Sequence, residues 1–84
     1  MQGERGIERT IRGTIFPVEW DENNNVARVV IDTPDQDGYL IEQNTKGKEL
    51  LDFIRREVEV SGIMREDEGG NLIFKVKEYS LIKG

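Results

Sequence analysis

The chain has 84 residues, a formal net charge of −5 at pH 7, and neither cysteine nor histidine. A length of this order allows one domain with a small core. Without Cys and His, a single chain cannot form a disulfide, a zinc site built on these ligands, or a Ser–His or Cys–His catalytic pair. We therefore expect a single domain over 1–84, with 1–6 as a flexible N-terminus, and no catalysis, metal or cofactor.

Apolar residues make up 36% of the chain, but they do not form a long uninterrupted run. The N-terminal residues lack the apolar stretch of a signal peptide, and no later segment approaches the length needed to cross a bilayer. From this we expect a cytoplasmic protein without membrane contact.

The first predicted strand covers residues 9–20. Ile11 and Ile15 fall on one face of this strand, which we expect to point inward. Gly13, between them, indicates a bulge or a tight bend. Pro17 indicates a break or shift in pairing, because proline cannot donate a ladder hydrogen bond.

A polar turn at 21–25 leads into a second strand at 26–33, which is rich in β-branched residues. We expect Ala27, Val29 and Ile31 to point inward. Residues 34–38 predict a hairpin turn, since proline presets one backbone angle and glycine supplies a positive φ.

The third strand is predicted at 38–43, and two alternatives for its inward face stay open: Leu40 alone, or Tyr39 with Ile41.

The apolar period then changes from two to about three and a half, which predicts a helix over 46–56. Asn44 or Thr45 can cap its start, and Arg55 and Arg56 would lie in its last turn. The apolar stripe of this helix consists of Leu50, Leu51, Phe53 and Ile54.

Two further strands end the chain. Residues 57–65 alternate, with Val58, Val60, Gly62 and Met64 expected to point inward. A glycine-containing turn then leads to the last strand at 72–82. The alternation slips near Glu78, so a bulge there would allow Tyr79 and Leu81 to be buried.

The order of three strands, one helix and two strands resembles the oligonucleotide/oligosaccharide-binding (OB) family over residues about 9–82. Support comes mainly from KGKELLDFIRREVEVSGIMREDEGGNLIFKVKEYSLI at 46–82, with an apolar helix, a V-x-V-x-G strand and a Gly-containing turn. The resemblance implies an all-β domain with one short helix, folded as a five-stranded OB-like Greek-key barrel. A small SH3-like barrel is the competing fold, but it is not expected to have a full helix at this position.

The resemblance also implies a ligand face, which in OB domains is the outer surface of strands two and three, flanked by the first and last turns. An exposed aromatic ring beside arginines on such a face could stack a nucleic-acid base. The alternative, which we favour, is that Phe16 and Trp20 pack over the barrel rim and bind nothing. Carried over to this sequence, the candidate ligand-binding residues are Arg12, Phe16, Trp20, Arg28, Val30 and Tyr39.

The charge of this region argues against nucleic acid. Residues 19–42 contain seven acidic residues against one basic residue, Arg28. Nucleic-acid affinity depends largely on neutralising phosphates, so an acidic surface opposes it. The acids at 35 and 37 beside Gly38 indicate a turn and not a calcium loop, because Thr33 and Asn44 stand where that loop needs acids.

Two hypotheses for the function remain, and sugars or small anions stay open as a third. The favoured one is a small non-enzymatic binding module for a protein partner or for regulation, motivated by acidic hairpins and by Phe16, Val30 and Ile63 if they are exposed. A contiguous apolar surface patch would support it. The alternative is weak single-stranded nucleic-acid binding through the outer face of strands one to three. The sequence does not indicate an oligomeric state.

Overall fold

The computed structural model describes residues 6–35 and 38–83, so most of the expected flexible N-terminus, residues 1–5, lies outside the described residues. Five strands and one helical segment follow in the predicted chain order. They are β1 (Ile7–Trp20), β2 (Val26–Asp32), β3 (Tyr39–Ile41), α1 (Thr45–Glu49) with a 3₁₀ turn at Leu50–Phe53, β4 (Glu57–Glu66) and β5 (Leu72–Leu81).

The strands form a closed barrel with the spatial order β1-β2-β3-β5-β4. β3 and β5 run parallel, and every other neighbouring pair is antiparallel. The predicted fold class, all-β with one short helix and a closed five-stranded barrel, is confirmed, and the barrel is compatible with an OB-like fold.

The long first strand closes the barrel by pairing with two partners in succession. Its first half pairs with β4 and its second half with β2, and Thr14 takes part in both ladders. A Cβ on the preceding Gly13 would lie 2.3 Å from the carbonyl oxygen of Asp32, so only glycine permits this approach. The register shows no bulge at Gly13, whereas the predicted shift at Pro17 is confirmed between Pro17 and Glu19.

The core occupies the barrel interior and, among the described residues, consists of apolar side chains and one tyrosine. Tyr39 and Ile41 point inward, at 5% and 2% exposure, which leaves Leu40 on the outer face. The ring of Tyr39 meets that of Phe74 edge to face, with centroids 6.0 Å apart. The core residues are Ile11, Ile15, Val29, Ile31, Tyr39, Ile41, Leu50, Val58, Val60, Phe74 and Val76.

The helical segment is shorter than predicted. The α-helix ends at Glu49, the 3₁₀ turn ends at Phe53, and Arg55 has a φ of 68°, so the expected helix over 46–56 with Arg55 and Arg56 in its last turn is wrong. The backbone after the turn bonds to β1 instead: Arg55 N donates to the Ile15 carbonyl at 2.7 Å, and Ile15 N donates to the Arg56 carbonyl at 3.1 Å. These tertiary bonds replace the last helical turn.

Two other expectations for the second half are confirmed. Asn44 caps the helix, since its Oδ1 accepts from the Gly47 backbone N–H at 2.8 Å. The β4–β5 ladder shifts register between Ser61 and Gly62, close to the predicted slip. After this shift Tyr79 and Leu81 pack against the core.

Candidate functional site

Four apolar side chains form a continuous row across the outer face of the barrel. The register places Phe16 opposite Val30, and Val30 opposite Leu40. Leu40 in turn lies opposite Ile73 of β5. Neighbouring strands lie about 5 Å apart, so paired side chains on one face are neighbours and the row spans β1, β2, β3 and β5 without interruption.

This apolar row faces away from the barrel interior. Val30 and Leu40 each lie between two core residues on their strand, and side chains alternate between faces along a strand. Among the described residues, neither the core nor the partly buried side chains packed against it include the four members of the row. All four are half-buried. The row is therefore apolar surface that does not contribute to the packing of the core.

A groove of about 370 Å³ runs beside the row. It reaches from Val18 on β1, which is 46% exposed, to the loop between β4 and β5. Two members of the row, Val30 and Leu40, line this groove, together with Val18, Gly38, Gly70, Asn71 and Leu72.

The arginines next to the apolar row are paired with carboxylates of the same face. Arg28 Nε lies 3.7 Å from Glu19 Oε1. Arg65, which is opposite Ile73, donates from Nη2 to Glu42 Oε1 at 3.0 Å, and both side chains are about 30% exposed. The positive charge of both arginines is thus offset locally.

Acidic hairpin loops stand at the ends of the flanking strands. In the loop after β4, Asp67 Oδ1 accepts from the backbone N–H of Gly69 at 2.8 Å and of Asn71 at 2.9 Å. These bonds, led by that from Asn71, lower the pKa of Asp67 below its ordinary value of 3.8, so the loop stays anionic. The loop after β1 carries Asp21 and Glu22, both exposed.

The six residues proposed from the sequence do not form one site. Phe16 and Val30 lie together in the apolar row, and Arg28 borders it. Tyr39 belongs to the core and not to the outer face, because the two-residue alternation of β3 turns it inward. Arg12 is four residues along β1 from Phe16, roughly 13 Å away, and pairs with Glu59 of β4 at 3.8 Å.

Trp20 is 53% exposed at the end of β1, opposite Val26, so it does not pack over the rim as the favoured interpretation held. Ile63, half-buried, lies opposite Glu8 and Lys75 and outside the apolar row. Ile73 was missed, because the alternation of residues along β5 does not by itself show that Ile73 lies opposite Leu40.

In the described part of the chain, no group of three or more His, Cys, Asp or Glu residues is arranged to hold a metal ion. Within the same residues, none of the helices combines the length and apolarity that crossing a bilayer requires.

Comparisons of the chain with protein-family models, with curated proteins and with solved structures found no match.

Proposed function

We propose that this chain is a non-enzymatic, cytoplasmic protein-interaction module of the OB type, which binds a basic, apolar segment of a partner protein on its outer face. The observation that carries the proposal is the apolar row formed by Phe16, Val30, Leu40 and Ile73.

The row supports a protein partner because it is continuous. Single apolar residues on a surface are ordinary, whereas a contiguous set beside a groove is typical of interaction sites. Burial of apolar area stabilises such a contact by about 25 cal/mol per Å² before the costs of association. Val18 at 46% exposure extends the row toward the groove.

The charge around the row supports a basic segment as the partner. Arg28 and Arg65 are each matched by a carboxylate, while the two hairpin loops contribute exposed acids, such as Glu22 and Glu68, that have no ion pair with another described residue. A complementary partner segment would carry Lys or Arg beside its apolar residues. Attraction between these charges and the acidic loops speeds association and sets the position at which the segment binds along the face. The same acids oppose nucleic acid.

The OB assignment rests on the closed five-stranded barrel, the helical segment between β3 and β4, and the sequence resemblance. In OB domains the face of strands two and three, with the loops after the first and fourth strands, binds ligands. The groove beside Val30 and Leu40, bordered by Gly70 and Asn71, corresponds to that position.

The proposal can be tested by selecting linear peptides from a random display library against the protein and mapping their binding by NMR shifts. We expect the selected peptides to combine apolar residues with Lys or Arg, and the shifts to cluster at Val30, Leu40 and Ile73. Leu40→Lys should abolish binding. Ser80→Lys is the matched control, because Ser80 is exposed and lies opposite Glu59, away from the row.

A parallel titration with mixed-sequence single-stranded DNA at low salt separates the two functions. Shifts at Trp20 and Arg28 that vanish as salt rises, and are lost in Arg28→Ala, would favour nucleic acid and overturn the proposal. Peptide binding that is equally strong in Leu40→Lys would also contradict it. No DNA-induced shifts at high excess, together with peptide shifts at the row, are the expected outcome.

A further inference from the structure

The first half of β1 has a strand on only one side. Residues from Ile7 to Thr14 pair with β4 on one edge, and β2 joins the opposite edge only from Thr14 onward. Among the residues that the structure describes, no strand pairs with that second edge between Ile7 and Gly13. We call this segment the β1 edge. An unpaired edge of this kind is a template for another strand.

The backbone of the β1 edge presents its hydrogen-bonding groups at even-numbered residues. Ile15 exchanges backbone bonds with Arg55 and Arg56, on the β4 side of the strand. Backbone groups alternate in direction along an antiparallel strand, so odd-numbered residues bond toward β4. The N–H and C=O groups of Glu8, Thr10 and Arg12 therefore point away from β4, along the β1 edge.

The side chains of the β1 edge are self-complementary. Thr10 is the middle residue of the seven from Ile7 to Gly13. If a second copy pairs antiparallel about Thr10, then Thr10 faces Thr10 of the other copy, and Glu8 faces Arg12 in both directions. In this register the facing residues are the even-numbered ones, so they also exchange both backbone hydrogen bonds. The midpoint at Thr10, the direction of the backbone hydrogen bonds and the facing charges of Glu8 and Arg12 thus all favour the same register.

We propose that two copies of this chain associate through their β1 edges, in antiparallel register about Thr10, to form a two-fold symmetric dimer. Threonine pairs and opposite-charge pairs are among the favourable cross-strand combinations. Within the chain, Glu8 bonds to Lys77 at 3.1 Å and Arg12 lies 3.8 Å from Glu59. Their side chains are nevertheless 73% and 62% exposed, so each can also contact a second copy. The contact is isologous, which closes the assembly at two subunits.

The surroundings of the β1 edge leave space for a strand. A groove of about 500 Å³ lies beside residues 9–14, with Tyr39 among its lining residues and the turn after β2 opposite. Ile7, 62% exposed at the start of the edge, gains from burial when a strand is added. None of the residues of the apolar row takes part, so the dimer does not depend on the proposed function.

Seven residues per strand make a small interface, so we expect weak association, with a dissociation constant on the order of 10–100 μM. Sedimentation velocity over a concentration series measures it. Amide hydrogen exchange at low and high concentration locates the contact. Glu8, Thr10 and Arg12 amides should exchange fast in dilute samples and slowly in concentrated ones, whereas Arg9 and Ile11 amides stay protected in both.

Charge variants provide a matched test. In a dimer of Glu8→Arg, the arginine at position 8 of each copy faces Arg12 of the other copy. In a dimer of Arg12→Glu, the glutamate at position 12 of each copy faces Glu8 of the other copy. Each variant alone should dimerise at least tenfold more weakly than the original chain. An equimolar mixture should regain dimerisation, because every facing pair is then of opposite charge. An NMR spectrum of a folded protein for each variant shows that losing the ion pair of Glu8 with Lys77, or of Arg12 with Glu59, has not unfolded the chain.

Three results would overturn the proposal. One is a monomer at every concentration up to about 1 mM, which would mean that the charged side chains only protect the edge from pairing. Another is a dimer in which the amides of Glu8, Thr10 and Arg12 still exchange fast. The third is a mixture of the two variants that associates no better than either variant alone.

Discussion

Asn24 and Gly70 occupy the same position in two hairpin loops that share one hydrogen-bonding pattern. Asn24 has a φ of 66° and Gly70 a φ of 85°. In each loop this residue's N–H donates to the carbonyl of the loop's first aspartate, at 3.1 Å in both cases. The loops are Asp21–Asn25, with the sequence DENNN, and Asp67–Asn71, with the sequence DEGGN.

The side chain of the aspartate that starts each loop accepts hydrogen bonds from backbone N–H groups of the same loop. Asp21 Oδ1 accepts from the N–H of Asn23 and of Asn25, as Asp67 Oδ1 accepts from the third and fifth residues of its own loop. The first and fifth residues also close each loop through a backbone bond of 2.9 Å. Two loops of the same construction thus flank the proposed binding face.

Replacing Asn24 with alanine should destabilise the protein by about 1 kcal/mol, because a positive φ is costly for a residue with a Cβ and no local polar compensation. Asn23→Ala is the control, since Asn23 is exposed, does not have a positive φ, and contributes a backbone N–H that alanine keeps. Urea unfolding measures both. Equal destabilisation by the two substitutions would contradict the interpretation that the fourth residue of this loop requires a positive φ.

The lowered pKa of Asp67 predicts a stability change at acid pH. The folded-state pKa lies below the ordinary value of 3.8, chiefly because of the backbone N–H of Asn71. The ionised group therefore contributes stability above about pH 4 that is lost as the pH falls through the folded-state pKa. In Asp67→Asn this contribution is absent. The difference in unfolding free energy between the original chain and Asp67→Asn should therefore shrink from pH 6 to pH 2. Chemical unfolding across this pH range measures the difference. A difference that stays constant would contradict the lowered pKa of Asp67.

Tyr79 links the helical segment to β5, so Tyr79→Phe should destabilise the protein by about 1 kcal/mol. Its hydroxyl donates to Glu49 Oε1 at 2.7 Å, and Lys46 lies over its ring with Nζ 5.8 Å from the centroid. The bond to Glu49 raises the pKa of Tyr79 above its ordinary value of 10.0. Tyr79 thus contributes stability that is fully present below pH 10 and is lost as the pH rises through the raised pKa.

The difference in unfolding free energy between the original chain and Tyr79→Phe should stay constant from pH 7 to about pH 10 and fall above it. A difference that does not change with pH would mean that the hydroxyl of Tyr79 is not bonded to Glu49 in solution.

Gly62→Ala should destabilise the protein by roughly 2 kcal/mol or more, because a Cβ would lie 1.9 Å from the carbonyl oxygen of Lys75, where backbone must move. Gly69→Ala is the matched control, since the nearest atom to its Cβ is a flexible amide of Asn71 at 3.3 Å. Thermal unfolding compares the two. A Gly62→Ala protein as stable as the control would show that β4 and β5 do not approach this closely.

Much of the secondary structure could be predicted from local patterns. The five strands, the cap at Asn44 and the slip near Glu78 follow from alternation, capping chemistry and turn residues, which act over a few neighbouring positions. The predicted helix ran too far, because the chain after Phe53 bonds to the backbone of Ile15, a partner some 40 residues away that no local pattern reveals.

The candidate site was only partly predictable for the same reason. Alternation places Phe16 and Val30 on an outer face, but it does not show which strands become neighbours. Ile73 joins the apolar row only because β5 pairs in parallel with β3. Arg12 lies outside the site because β1 pairs with β2 only from Thr14 onward and with β4 before it.

The type and order of the elements, the apolar faces of most strands and the acidic character of the first hairpins can be read from the sequence, because they depend on side-chain chemistry and short-range backbone preferences. Three features cannot be read from it: that Tyr39 is core and Leu40 surface, which four apolar residues meet on the outer face, and that the β1 edge has no partner strand among the described residues. Each of these depends on strand pairing between distant segments, and closure of the barrel fixes that pairing.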